Sequence, residues 1–225
     1  MATILENVQG VKARIVQAAR AAGRDPESVT LLAVSKAHAA ARIVEAKAAG
    51  LGAFGENYVQ EALGKMEVLS GVEWHLIGAL QSNKTRLAAE RFDWVQTVDR
   101  VKIANRLSEQ RPAHLPPLNV LVEVNISGEA TKGGTAVMQV TALCATVAAL
   151  PRLRLRGLMA IPAPGAGGDF EKIHTLYEKL RPEFALDTLS MGMSDDLEAA
   201  IAAGATMVRI GTAIFGRRAS EGMEA

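Results

Sequence analysis

What most constrains this chain is an unbroken alternation of short β-rich runs with longer Ala/Leu-rich segments of helical period. Eight runs stand out: residues 31–35 (LLAVS), 52–55 (GAFG), 74–78 (WHLIG), 94–98 (WVQTV), 119–124 (NVLVEV), 155–160 (LRGLMA), 188–191 (TLSM) and 207–210 (MVRI). Segments of helical composition separate them, such as 39–49, 59–69 and 195–203. Alternation of this kind calls for a parallel α/β sheet with crossover helices, and eight repeats is the number that closes a (β/α)₈ TIM barrel. A doubly wound open sheet is the competitor. Closure is preferred because no Gly-rich dinucleotide fingerprint follows the first run and no central reversal of composition appears.

A chain of 225 residues at 49% hydrophobic can bury one large core, so residues 1–225 are expected to form a single domain. The richest loop, 161–168 (IPAPGAGG), falls at the end of the sixth run, where a barrel expects a βα loop rather than a linker. Residues 1–22 read as an extra amphipathic helix with Ile4, Val8, Val11, Ile15 and Ala18 or Ala19 on one stripe and a solvated charged face. This segment carries Glu6 early and no sustained apolar block, so it reads as neither a secretory signal nor a membrane span. The tail 217–225 is expected to fray.

A net charge of +1 gives no excess of basic charge for gripping nucleic acid or anionic lipid, which disfavours both as partners. The single cysteine, Cys144, excludes an intrachain disulfide and fits a reducing compartment, so a cytoplasmic address is expected. A monomer is the expected state. It falls on an apolar stripe with Val137, Val140 and Val147 and reads as a buried filler. His38, His75, His114 and His174 make no metal-binding spacing, and no metal is expected. His75, inside an apolar run, reads as a hydrogen-bonded core residue, and Met159, Met191, Met193 and Met207 as core or pocket lining. The string 128–134 (GEATKGG) lacks P-loop spacing, although Lys132 remains a candidate anion contact at the rim.

In a parallel barrel the functional loops leave the carboxyl ends of the strands, and those ends are rich here. The first run leads into Ser35-Lys36, the second into Glu56-Asn57-Tyr58, the seventh into Gly192-Met193-Ser194 and the eighth into Gly211-Thr212. The last two ends are where such barrels bind phosphate. Ser194 and Thr212 offer hydroxyl donors, while Gly192 and Gly211 let the backbone come close to an anion. Taken alone, Ser194 could merely cap a helix beginning near Asp195, and Gly211 could mark a tight turn. Lys36, leaving a buried strand at the mouth, would have its ammonium destabilised, which suits Schiff-base chemistry with a phosphorylated aldehyde. A surface ion pair is the alternative for that lysine.

The strings AVSKAH, FGENYVQEAL, WHLIGALQSNK, VEVNISGEATKGG, GLMAI and LSMGMSDDLEAAIAAGATMVRIGTAIFG resemble the family of single-domain pyridoxal phosphate homeostasis proteins, relatives of the alanine racemase N-terminal barrel. The resemblance runs from Leu31 to Gly216. It implies a barrel carrying pyridoxal 5′-phosphate as a Schiff base on Lys36, with the phosphate around Ser194, Gly211 and Thr212. It also implies Arg209 beside the pyridine nitrogen and Asn57 near the ring. A guanidinium there can only donate, which weakens the ring as an electron sink. Racemisation also needs a second base, supplied with the help of a separate C-terminal domain in two-domain racemases, and Tyr58 and Tyr177 offer no such geometry in the sequence. The expected role is therefore a carrier or regulator of the cofactor that exchanges it with apoenzymes and has no efficient catalysis. A weak or narrow amino-acid racemase and a cofactor-free phosphosugar aldolase acting through Lys36 stay open as alternatives.

Overall fold

A computed structural model of the chain describes residues 2–129, 131–162 and 168–216. The strands are β1 (Thr30–Val34), β2 (Ala53–Glu56), β3 (Glu73–Leu76), β4 (Trp94–Val98), β5 (Leu118–Asn125), β6 (Thr135–Ala136), β7 (Leu153–Ala160), β8 (Thr188–Ser190) and β9 (Met207–Ile210). All pair in parallel. β1 joins β9 with Thr30 opposite Met207, and β4 joins β5 with Trp94 opposite Asn119, so eight strands close on themselves as a barrel. The ninth piece, β6, has two residues and pairs with Val124 and Asn125 past the point where β4 ends. No period-two run announces it in the sequence. The stretches of loop 161–168 from 163 to 167 and the tail from 217 onward lie outside the described residues.

A helix follows each barrel strand: α2 (Ala40–Ala48), α3 (Val59–Met66), α4 (Thr85–Arg91), α5 (Val101–Gln110), α6 (Val140–Ala148), α7 (Asp169–Phe184), α8 (Leu197–Ala202) and α9 (Thr212–Phe215). α1 (Ile4–Ala21) precedes the barrel and starts with a capping box. The Thr3 hydroxyl accepts the Glu6 amide at 3.2 Å, and Glu6 Oε2 accepts the Thr3 amide at 2.7 Å. Its stripe of Ile4, Val8, Val11, Ile15, Ala18 and Ala19 is buried, and the helix packs on α8 and α9, the helices that follow β8 and β9.

Period-two alternation divides the core into two layers. Ala33, Phe54, Val95 and Val208 belong to the large outer cluster with the helices, whereas Leu32, Val34, Ile77 and Met207 form a separate cluster, as do Trp94, Leu121 and Met159. Gly157 lets β7 close on β8, since a Cβ there would stand 1.7 Å from the Thr188 carbonyl oxygen. Two local expectations need correcting. Val137 sits in a short 3₁₀ turn and is 43% exposed, so the buried stripe of α6 starts at Val140 and continues through Cys144 and Val147. The helix expected near Asp195 begins at Leu197. Ser194 consequently does not cap it.

Candidate functional site

Lys36 stands one residue past the Ser35 that ends the first run, in a turn closed by a hydrogen bond from the His38 amide to the Ser35 carbonyl at 3.1 Å. Its neighbour Ala37 has φ +60°, in the left-handed region that non-glycine residues seldom occupy. Asn57 follows β2 and reaches the same mouth because Gly78 has no side chain: a Cβ on Gly78 would lie 2.2 Å from the Asn57 carbonyl oxygen. Asn57 Oδ1 is buried and has no hydrogen-bond partner among the described residues.

Next to the Lys36 turn, since β9 pairs with β1, the loops after β8 and β9 are tied together. The Ala213 amide donates to the Ser194 hydroxyl oxygen at 3.2 Å, which is what that hydroxyl does instead of capping α8. Helix α1 braces both loops: Arg14 donates to the Ser194 carbonyl at 3.0 Å, and Asn7 donates to the Ile214 carbonyl at 2.9 Å. Gly192, at φ +90° with Ala200 Cβ 2.4 Å from where its own Cβ would be, can only be glycine.

Arg209 is 4% exposed and held from two sides, Nη1 donating to the Ser190 hydroxyl and Nη2 to the Ala160 carbonyl, both at 2.9 Å. Burial pulls its pKa down to about 10, against the pull of Glu123 and Asp196, so the guanidinium is charged at neutral pH. The polar contacts continue inward. Ser190 donates to Gln96 Oε1 at 2.7 Å, and Gln96 Nε2 stands 2.9 Å from His75 Nδ1. With the amide donating, Nδ1 is the acceptor and the imidazole proton sits on Nε2, 3.8 Å from Glu73 Oε2. Burial holds His75 below its ordinary pKa, and its ring stacks on Trp94 with centroids 5.1 Å apart.

Lys36, Asn57, Ser194, Arg209, Gly211 and Thr212 all line one cavity of about 280 Å³ at the carboxyl mouth of the barrel. Ile77, Ile161 and Met193 supply apolar wall, and Asp195 contributes a carboxylate that the sequence reading passed over. Ile161 also borders an adjoining space of about 110 Å³ that contains Glu123, Asn125 and Lys132. Lys132 there pairs with Glu129 at 3.2 Å. Tyr58 is 68% exposed beside α3, and Tyr177 is buried on α7 with its hydroxyl 3.4 Å from the Leu186 carbonyl, so neither tyrosine lines the cavity. The sequence reading also missed Gln96 and Ser190, although a glutamine inside the apolar run WVQTV was a visible sign.

The alanine racemase N-terminal domain family matches residues 7–219 of the chain. The pyridoxal phosphate homeostasis protein of Pseudomonas aeruginosa is 60% identical over 225 aligned positions, covering 97% of this chain and 97% of that protein. The chain belongs to this family. Among solved structures related to the family, PipY of Synechococcus elongatus with PLP bound is 35% identical, with a TM-score of 0.81 over 95% of this chain and 100% of PipY. The alanine racemase of Corynebacterium glutamicum, 18% identical with a TM-score of 0.70, shares the fold over 98% of this chain and 63% of the racemase. Among the described residues, no helix is long and apolar enough to cross a membrane.

Proposed function

We propose that this protein binds pyridoxal 5′-phosphate in the mouth cavity, covalently through Lys36, and serves as an exchangeable holder of the cofactor rather than as an efficient enzyme. The observation that carries the reading is the convergence of Lys36, Asn57, Ser194, Arg209, Gly211 and Thr212 on one cavity. The donor set suits the group. Lys36 offers an amine for reversible capture of an aldehyde, Ser194 and Thr212 offer hydroxyl donors to a phosphate, and Gly211 lets the backbone approach. The orphaned Asn57 Oδ1 is a buried acceptor in need of a donor. When bound, the cofactor supplies a reactive aldehyde and a ring able to draw electron density from an attached carbon.

Arg209 bears on which of these is used. Its guanidinium donates and cannot accept, and two further contacts fix its orientation, so it favours an unprotonated ring nitrogen and a weak electron sink. Tyr58 and Tyr177 point elsewhere and bring no base to the opposite face. Supporting the same reading, the relative at 60% identity is named a homeostasis protein and PipY was solved with PLP. Apo forms of enzymes that use the cofactor are the natural recipients, and a monomer is the form proposed. The test is borohydride reduction of the loaded protein followed by peptide mapping. Label on Lys36 supports the reading; label on Lys84 or Lys132 contradicts it.

A further inference from the structure

Lys36 is flanked by two residues whose backbones are gripped by charged side chains outside the cavity lining. Lys65, on α3, is 6% exposed, and its ammonium makes three contacts: Glu56 Oε1 at 2.7 Å, Glu61 Oε1 at 2.6 Å and the Ser35 carbonyl at 2.8 Å. That uses every proton an ammonium has. Glu56, wholly buried at the end of β2, also accepts the Ser35 hydroxyl at 2.5 Å. Glu61 accepts the Ala37 amide at 2.6 Å. Ser35 is thus held through its carbonyl and its hydroxyl, and Ala37 through its amide, with Lys36 between them.

Two features argue that this network does more than fill space. A buried ion cluster seldom outperforms apolar packing as a source of stability, because each charge must be stripped of water. The desolvation is visible at Glu56, whose pKa burial raises although Lys65 and Ser35 oppose it, and whose Oε2 has no partner among the described residues. The second feature is the Ala37 backbone. At φ +60° it holds a conformation an alanine adopts only under outside constraint, and the Glu61 carboxylate is the constraint in contact with it.

We propose that Lys65, Glu56 and Glu61 form a positioning clamp that fixes the Ser35-Lys36-Ala37 turn and thereby aims the Lys36 amine into the cavity. None of the three lines the cavity. They act on the covalent step, because the loops bearing Ser194, Gly211 and Thr212 are held by contacts of their own, to one another and to α1, and by none to Lys65, Glu56 or Glu61. The clamp rests on the reading that Lys36 captures an aldehyde.

The experiment compares pyridoxal 5′-phosphate with pyridoxine 5′-phosphate, which keeps the ring and phosphate but has an alcohol where the aldehyde stood. Apo-protein carrying Lys65→Met or Glu61→Ala is titrated with each. Both variants should bind the aldehyde at least tenfold more weakly and capture it more slowly, while pyridoxine 5′-phosphate binds within twofold of the unaltered protein. Equal losses for the two ligands, or unchanged capture in Glu61→Ala, would overturn the clamp. Glu61 is partly exposed, so its alanine variant decides the matter even where Lys65→Met fails to fold. Failure of the unaltered protein to bind either ligand would instead refute the cofactor reading itself.

Discussion

Arg209 Nη1 donates to the Ser190 hydroxyl at 2.9 Å, and through that contact a cation at the cavity floor is continuous with a polar chain inside the barrel. The chain has a direction. Arg209 can only donate, so Ser190 accepts from it and passes its own proton toward Gln96, whose amide then donates to His75. Every member occupies the role its neighbour leaves open. Four strands, β9, β8, β4 and β3, contribute one residue each.

Removing the hydroxyl should expose that dependence. Ser190→Ala leaves Arg209 Nη1 and Gln96 Oε1 each without a partner in a buried site, and a stranded buried polar group costs about 1–3 kcal/mol. Urea denaturation should show a loss of that size, with the slope unchanged. A midpoint equal to that of the unaltered protein would mean the chain carries no net energy.

The two hydroxyls on the loops after β8 and β9 should matter for phosphate and little else. A hydrogen bond to a charged group contributes roughly 1.5–3 kcal/mol, so Ser194→Ala and Thr212→Val should each weaken pyridoxal 5′-phosphate binding about tenfold or more. Unphosphorylated pyridoxal should bind almost as before. For Ser194 a moderate loss of stability should accompany this, because its hydroxyl also accepts the Ala213 amide. Equal losses for both ligands would show that the residues act through folding.

Glu123 gives a pH signature. Burial, helped by Asp99 and opposed by Arg209, pushes its carboxyl up to about 7. Its folded pKa lies above its unfolded one, so the native state holds a proton that the unfolded chain gives up. The contribution to stability is full below the ordinary glutamate range and is lost as pH rises through 7. Glu123→Gln mimics the protonated form. Its stability relative to the unaltered protein should therefore rise by the order of 2–3 kcal/mol between pH 5 and pH 8, read from denaturation midpoints. A difference that does not change with pH would mean Glu123 titrates normally.

The barrel was legible in the sequence because eight short β-rich runs and the intervening segments of helical period are local signals, set by the residues within each segment. The ends of those runs supplied the polar residues of the mouth for the same reason. The rest depended on distance in the chain. Gln96 and Ser190 meet across the barrel from strands whose pairing no local pattern shows, and the grip of Lys65 on Ser35 spans 30 positions. Ser194 was ambiguous for a related reason: a serine before a helix looks like a cap, and only the tertiary contact with the Ala213 amide shows that it faces the neighbouring loop. β6, with two residues, is too short to leave a period.

The measurement that bears most directly on the account mixes cofactor-loaded protein with an apo enzyme dependent on pyridoxal 5′-phosphate, follows recovered activity, and in parallel monitors proton exchange at the α-carbon of a panel of amino acids. The account predicts that cofactor is delivered and that exchange at the α-carbon stays near background. Substantial exchange with inversion, together with no cofactor delivered, would contradict it and make the protein a racemase.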